Sequence, residues 1–388
     1  MIETKKNESV THKNGDMDMK FKKIAEEILA TTQVTINGNH PWDICVHNDA
    51  FYQRVLTEGE MGLGEAYMEG WWDSEKVDEL ISKILEADLS KKVSLKWSSL
   101  FLLLKARLLN LQTKRNALMV INRHYDLGNE LFEKMLDSRM NYSCAYWKNA
   151  ETLDQAQENK LDLICRKLNL QPGMKLLDIG CGWGAFGKFA AEKYQVKVVG
   201  ITVSKEQVEL GQKLCKGLPV EFRLMDYRAL DGKFDRIVSV GMIEHVGYKN
   251  YTTFFKTAFN CLDDGGLFLL HTIGSNKSVK SISAWTNKYI FPNAMLPSMA
   301  QLSKASEGLF VIEDVHNFGK YYDDTLMAWY TNFQKSWSEI QNNYPSYFYR
   351  MWKYYLLSSA AAFRSRQCQL WQIVLSKNGV PGGYDSIR

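Results

Sequence analysis

The sequence has no long hydrophobic run. Its longest candidate, Leu100–Leu104, is cut off by Lys105, far short of the roughly 18 apolar residues a membrane-spanning helix needs. No transmembrane helix is therefore expected. The amino-terminal residues are polar and Lys-rich and lack the apolar segment of a signal peptide; residues 1–19 are expected to be a disordered tail, and the protein to be cytoplasmic. The seven cysteines (45, 144, 165, 181, 215, 261 and 368) are odd in number and show no C-x-x-C spacing. That argues against a disulfide framework and a zinc site, and no metal is expected.

Acidic residues are absent between Asp88 and Asp126, where eight lysines and arginines fall. Within that stretch Trp97, Phe101, Leu104, Leu108 and Leu111 recur at steps of four and three, with Lys105 and Arg107 off the stripe. The pattern over 96–111 predicts a basic amphipathic helix. Two placements stay open: on an anionic bilayer, where each cation is worth about 1 kcal/mol, or with its apolar stripe against protein. Nucleic acid is not expected as a partner, because the basic residues alternate with long aliphatics and not with stacking aromatics.

With 388 residues and 45% hydrophobic content, the chain can build one large domain and a smaller one. Helices are expected at Phe21–Ala30 and Ala50–Leu56 and short strands at Val34–Ile36 and Ile44–Val46, a small mixed α/β domain over 20–112. The run MGLGEAYMEGWWD (61–73) is richer in glycine than a buried helix would choose, and a bent helix anchored by Trp71 and Trp72 remains its plain reading. A linker is expected at 113–122. From residue 123 to 388 strand and helix patterns alternate, with strands at Lys175–Ile179, Val196–Ile201, Val220–Leu224, Arg236–Val240, Leu267–Ile273, Leu309–Asp314 and Gln369–Ser376. The segments Ser275–Gly308 and Tyr321–Arg366 are crowded with aromatic residues. They are expected to cap the carboxyl edge of the sheet and line an apolar cavity, with core packing accounting for part of the crowding.

The run LDIGCGWG (177–184) reads as a strand end, a tight glycine turn and a helix start, the arrangement that lets backbone approach a ligand. A dinucleotide site would close the next strand with an acid; here that strand ends in Thr202. Asp178 before the turn, and Asp226 with Tyr227 after the third strand, instead resemble the S-adenosylmethionine (AdoMet) site of methyltransferases. Glu244 in GMIEHVG follows the fourth strand and His271 in LLHTIG closes the fifth, while Cys144 lies in NYSCAYW before the sheet. Each alone has a bland reading as a core residue, but carboxyl ends of parallel strands are where function gathers.

The segments HYDLGNELF (124–132), NYSCAYW (141–147), LDIGCGWG (177–184), VVGITVSKEQ (198–207), DRIVSVGMIEHVG (235–247), LLHTIG (269–274), NKYIFPN (287–293) and HNFGKYYDDTLMAWY (316–330) resemble those of the cyclopropane-fatty-acyl-phospholipid synthase family. The resemblance implies an α/β fold: a seven-stranded, Rossmann-like AdoMet-dependent methyltransferase sheet with a helical lipid-binding cap, plus the small amino-terminal domain associated with membrane and dimer. It implies methylene transfer from AdoMet to the cis double bond of unsaturated phospholipid acyl chains, on the inner face of the membrane, by a homodimer. An alkene is a weak nucleophile, so the rate must come from alignment and from stabilising the resulting carbocation. The family implies bicarbonate as the base, held by backbone groups of Cys144 and Ile273 and side chains of Glu244, His271 and Tyr322. It implies AdoMet contacts from Tyr142, Ser143, Asp178, Gly180, Gly182, Thr202, Gln207, Asp226 and Tyr227. Cys181 and Trp183 are expected to shape the turn and not to react.

Overall fold

The computed structural model describes residues 19–87 and 128–388. The amphipathic stretch 96–111, residues 1–18 of the expected 1–19 tail and the linker 113–122 lie outside the described residues, and Met19, expected in the tail, opens the first helix. The chain divides into two compact units, one of residues 1–131, 283–292 and 334–365, the other of 132–282, 293–333 and 366–388.

In the first unit a helix over 19–29 precedes a two-stranded ribbon of β1 (Cys45–Val46) and β2 (Trp72–Asp73). Val34–Ile36 contributes only an isolated bridge, Ile36 to Ile44, because the Thr35 N–H is taken by the Asp43 carboxylate at 2.7 Å and not by a neighbouring strand. Between β1 and β2 lie helices Ala50–Glu58 and Glu60–Met68. The glycines of the second one serve close approach: a Cβ on Gly64 would stand 2.4 Å from Trp285, and one on Gly62 2.6 Å from the Arg54 carbonyl oxygen. Helix Ala284–Tyr289 is tied down at the same place, where Glu65 accepts from Lys288 Nζ at 2.7 Å and Tyr289 OH at 2.8 Å and its other oxygen from Arg54 at 2.6 Å. Helix Phe348–Arg364 adds Tyr354, whose ring lies 4.8 Å from that of Trp285. The sequence division at 112–123 assigns these later aromatic segments to the catalytic domain. In the structure they complete the amino-terminal unit, and Trp285, Trp352 and Tyr354 are buried core residues there.

The second unit is built on a seven-stranded sheet of β3 (Lys175–Ile179), β4 (Lys197–Thr202), β5 (Val220–Leu224), β6 (Phe234–Val240), β7 (Leu262–Ser275), β8 (Val311–Asn317) and β9 (Cys368–Ser376). Their order is β5-β4-β3-β6-β7-β9-β8, with β9 antiparallel to both of its neighbours. Strand β8 starts two residues later than expected, since the N–H groups of Leu309 and Phe310 both return to the Ser306 carbonyl and close the preceding helix. Apolar residues cover both faces: Leu176, Val198, Val238 and Leu269 pack with helices Leu153–Lys167 and Ala185–Tyr194, and Leu177, Ile237, Phe268 and Ile373 pack with helix Tyr251–Cys261. Strand order reverses between β3 and β6, which places the ligand crevice of an open α/β sheet at their carboxyl ends.

Candidate active site

The glycine turn leaves β3 at that reversal. Gly180, Gly182 and Gly184 all have positive φ (85°, 53° and 86°), a region that L side chains enter at a cost of about 1–2 kcal/mol. The three glycines do different things. A Cβ on Gly180 would lie 2.6 Å from Met242 and one on Gly184 2.3 Å from Phe222, whereas a Cβ on Gly182 would meet nothing within 4 Å. Gly180 and Gly184 thus permit packing, and Gly182 faces open space. The N–H groups of Gly180 and Cys181 both donate to the Ile201 carbonyl, which staples the turn to β4. Helix Ala185–Tyr194 starts immediately after, with no side chain capping its first turn, so its N–H groups remain for an anionic group. Burial raises the Cys181 thiol pKa, in keeping with a shaping role for that residue.

Beyond β4, Thr202 Oγ1 donates to Gln207 Oε1 at 2.6 Å and Ser204 caps the helix that carries Gln207. This brings the two ribose-side candidates together. The adenine candidates, Asp226 and Tyr227, follow β5. Both Asp226 oxygens accept from Arg228, through its backbone N–H, Nε and a terminal nitrogen at 2.7–2.9 Å, which holds the carboxyl down at about 2. The Tyr227 ring is buried, its centroid 5.6 Å from that of Phe254 in an edge arrangement, with the Arg228 guanidinium 5.8 Å over it.

Asp178 is 2% exposed, and burial raises its pKa while the charge of Lys160 opposes the shift. Lys160 is itself buried on helix Leu153–Lys167, with its pKa lowered by burial. Its ammonium donates to Asn141 Oδ1 and Ser143 Oγ, both at 3.0 Å. Gln157 on the same helix donates to the Ser143 carbonyl at 2.8 Å, and Asp137 accepts from the Asn141 backbone and side chain at 2.8 and 2.7 Å. One buried cation thus organises the NYSC loop beside the end of β3. Sequence reasoning passed over Lys160 and Gln157, although a signal existed: Leu153, Gln157, Lys160, Ile164 and Lys167 follow helical spacing on the buried face, and three of the five are polar.

At the ends of β6 and β7 the remaining candidates converge. Glu244 lies in the 3-10 turn Ile243–His245 and accepts from the Ile273 N–H at 2.7 Å. Burial pushes its carboxyl up to about 7, and its other oxygen, Oε2, is buried without a partner. His271 is 1% exposed, its Nδ1 lies 3.3 Å from Gln372 Nε2, and its Nε2 is also buried without a partner. Burial and the charges of Lys160 and Lys167 hold its pKa well below the ordinary range. The Ile273 N–H is engaged by Glu244, so its backbone supports the carboxylate directly. Cys144 is buried, its thiol directed to the Ala145 carbonyl at 3.3 Å and its pKa raised by burial, the surroundings of a structural cysteine. Thr325 links the loop to helix Lys320–Ile340, accepting from the Ala145 N–H at 3.1 Å and Trp147 Nε1 at 3.0 Å.

A row of rings joins the two halves of the site. Trp183 in the glycine turn lies 5.2 Å from Phe132, Phe132 lies 5.1 Å from Tyr142, Tyr142 lies 5.2 Å from Trp329, and Trp329 lies 6.0 Å from Tyr322. Tyr142 and Tyr322, assigned in the sequence to different ligands, flank the same indole. Among the described residues no cluster of His, Cys, Asp or Glu is suited to a metal.

The sequence profile of the family described as mycolic acid cyclopropane synthetase matches residues 112–373. The chain belongs to this family. It is 52% identical over 366 residues to the cyclopropane-fatty-acyl-phospholipid synthase of Escherichia coli K12, covering 94% of this chain and 96% of that one. A probable fatty acid methyltransferase of Pseudomonas putida is 39% identical over 70% of this chain and 72% of its own. Among solved structures, a cyclopropane synthase of Mycobacterium tuberculosis superposes with a TM-score of 0.62 at 32% identity, over 66% of this chain and 97% of that chain. A mycolic acid cyclopropane synthase complexed with SAH and CTAB matches with the same TM-score at 34% identity, over 66% and 97%. As a cyclopropane synthetase family member with this sheet, the chain is an AdoMet-dependent methyltransferase.

Proposed function

We propose that this chain transfers a methylene group from AdoMet to the cis double bond of unsaturated phospholipid acyl chains, forming cyclopropane fatty acyl chains, with bound bicarbonate taking the proton. The observation that carries the reading is the pair of buried, unpartnered polar atoms, Glu244 Oε2 and His271 Nε2, at the carboxyl ends of adjacent strands. Polar atoms are rarely left orphaned in a protein interior, and simple methyl transfer to an amine would need no such pair. The identity with the Escherichia coli synthase over nearly the whole chain supports the lipid substrate.

The open space at Gly182 and the uncapped helix start fit AdoMet, with Tyr142, Ser143, Asp178, Gly180, Thr202, Gln207, Asp226 and Tyr227 forming the rest of its surroundings. When bound, AdoMet supplies an electrophilic methyl group. The donor and acceptor character of His271 and Glu244, with Tyr322 and the backbone of Cys144, fits bicarbonate, while the Ile273 N–H holds the Glu244 carboxylate in place. Bicarbonate would supply a base where a side-chain nucleophile risks alkylation. Glu244, with its carboxyl near neutrality, orients the ion, and neutral His271 donates to it. The rings of Tyr142, Trp329 and Tyr322 exclude water and present π faces, worth about 0.5–2 kcal/mol each toward a cation.

The enzyme works as a peripheral homodimer at the inner face of the membrane, with the amino-terminal region to residue 112 serving membrane and dimer contacts. Among the described residues no helix is long and apolar enough to cross a membrane, and the basic amphipathic stretch 96–111 is suited to an anionic surface. The test is mass spectrometry of vesicles of unsaturated phosphatidylethanolamine and phosphatidylglycerol incubated with the protein and AdoMet. Acyl chains gain one CH₂ and lose the double bond; unchanged acyl chains with a methylated headgroup refute the reading. Depleting and restoring bicarbonate lowers and restores turnover, and indifference to it removes the ion from the mechanism.

A further inference from the structure

His271 and Gln372 are direct cross-strand partners of the antiparallel pair β7 and β9, so their side chains share one face of the sheet. Both are buried, at 1% and 0% exposure, and Gln372 Nε2 stands 3.3 Å from His271 Nδ1. An amide nitrogen has only protons to give, so the ring nitrogen facing it must accept. A neutral imidazole carries one proton, and when Nδ1 accepts, that proton resides on Nε2. The neighbouring Lys160 and Lys167 charges and complete burial keep the ring neutral. The Gln372 carbonyl oxygen has no partner among the described residues, so its bond to the ring is the contact that holds this side chain.

We infer that Gln372 is a positioning residue whose amide fixes His271 as the Nε2–H tautomer, so that the ring enters the site as a hydrogen-bond donor and not as a proton acceptor. The role of that donor rests on the bicarbonate reading above; the tautomer itself does not. An Nε2–H suits an anion beside Glu244, whereas a bare Nε2 lone pair would repel it. With the amide turned round, its oxygen would accept from Nδ1–H and leave that lone pair. The inference therefore commits to which end of the amide faces the ring.

The experiment is ¹⁵N-histidine labelling of the full chain and long-range ¹H–¹⁵N correlation of the imidazole rings. Seven histidines keep the spectrum tractable, and His271→Gln identifies the ring of interest by its missing signals. The wild-type ring is expected as the Nε2–H tautomer at neutral pH. In Gln372→Glu the carboxylate can only accept, so Nδ1 gains a proton and the spectrum shows the Nδ1–H tautomer or the imidazolium. Turnover then falls on the order of 10²-fold, with AdoMet affinity kept. Gln372→Met, similar in length and apolar, serves if the glutamate variant fails to fold; it yields a mixture of tautomers and an intermediate turnover. A wild-type proton on Nδ1, or a tautomer unchanged in both variants, overturns the inference. A changed tautomer with unchanged turnover supports the role of Gln372 in fixing the ring and refutes the assignment of His271 to the reaction.

Discussion

Lys160→Met removes the buried cation while keeping the length and apolar stem of the side chain. The ammonium is the donor to Asn141 Oδ1 and Ser143 Oγ. Ser143 can rotate its hydroxyl, but the Asn141 oxygen is fixed, because the same amide donates to Asp137. Stranding one buried acceptor costs about 1–3 kcal/mol. Leaving a buried charge uncompensated costs up to about 3–5 kcal/mol, but Asp137 and Asp178 avoid most of that by taking up a proton, since burial already raises both pKa values and the charge of Lys160 opposes each rise. The desolvation cost of the lysine is also relieved. The remaining loss is about 2 kcal/mol, concentrated in the NYSC loop and the end of β3. Hydrogen exchange read by mass spectrometry reports such a local change without requiring the whole chain to unfold in one step. Peptides covering 137–147 should exchange roughly 30-fold faster, since about 1.4 kcal/mol is a factor of ten. Calorimetry should show weaker AdoMet binding, because Ser143 and Tyr142 ride on that loop. Unchanged exchange in 137–147 together with unchanged AdoMet affinity would refute the assignment of Lys160 as the organiser of the loop.

Four further outcomes follow from the site and the packing. Glu244→Gln should keep AdoMet affinity near wild type and lower turnover on the order of 10²–10⁴-fold; a large loss of binding in calorimetry would place Glu244 in the AdoMet pocket instead. The same variant carries a pH signature. The folded carboxyl titrates at about 7, above its unfolded value, so ionised Glu244 costs stability that appears as pH rises from about 4.5 through 7. The melting temperature of Glu244→Gln relative to wild type should therefore rise from pH 5 to pH 8, and a flat or falling difference contradicts the burial argument. Gly180→Ala and Gly182→Ala should separate stability from binding: the first, with its Cβ 2.6 Å from Met242, loses thermal stability, whereas the second, facing open space, loses AdoMet affinity out of proportion to its smaller thermal shift. In the amino-terminal unit, Gly64→Ala drives a methyl to 2.4 Å from the Trp285 ring. A loss of about 1–3 kcal/mol is expected from such overpacking, read as faster exchange in peptides covering 60–68.

Local pattern was legible in the sequence wherever one residue's chemistry decides its conformation. The glycine turn, the strands β3 and β5 to the residue, and Thr202 in place of an acid at the end of β4 all follow from neighbours in the chain, because φ preference and alternation act over a few residues. Glu244 and His271 were legible as strand-end residues for the same reason. What a buried polar group touches was not. Lys160 reads as one more lysine on a helix until tertiary packing places it under Asn141 and Ser143. Gln372 is one residue in a strand pattern until β7 and β9 pair in their particular register. The aromatic segments at 283–292 and 334–365 lie between sheet strands in sequence, yet complete the amino-terminal unit, because Gly64 makes room for Trp285 and Glu65 supplies the counter-charge for Lys288. The sequence by itself determined the seven-stranded α/β sheet, the cofactor turn and the family, since these depend on short-range backbone sterics and periodicity. Only the tertiary structure decided which buried charges and protons meet, because desolvation and hydrogen-bond partnership arise between residues on different elements, from 17 to 101 positions apart in the chain.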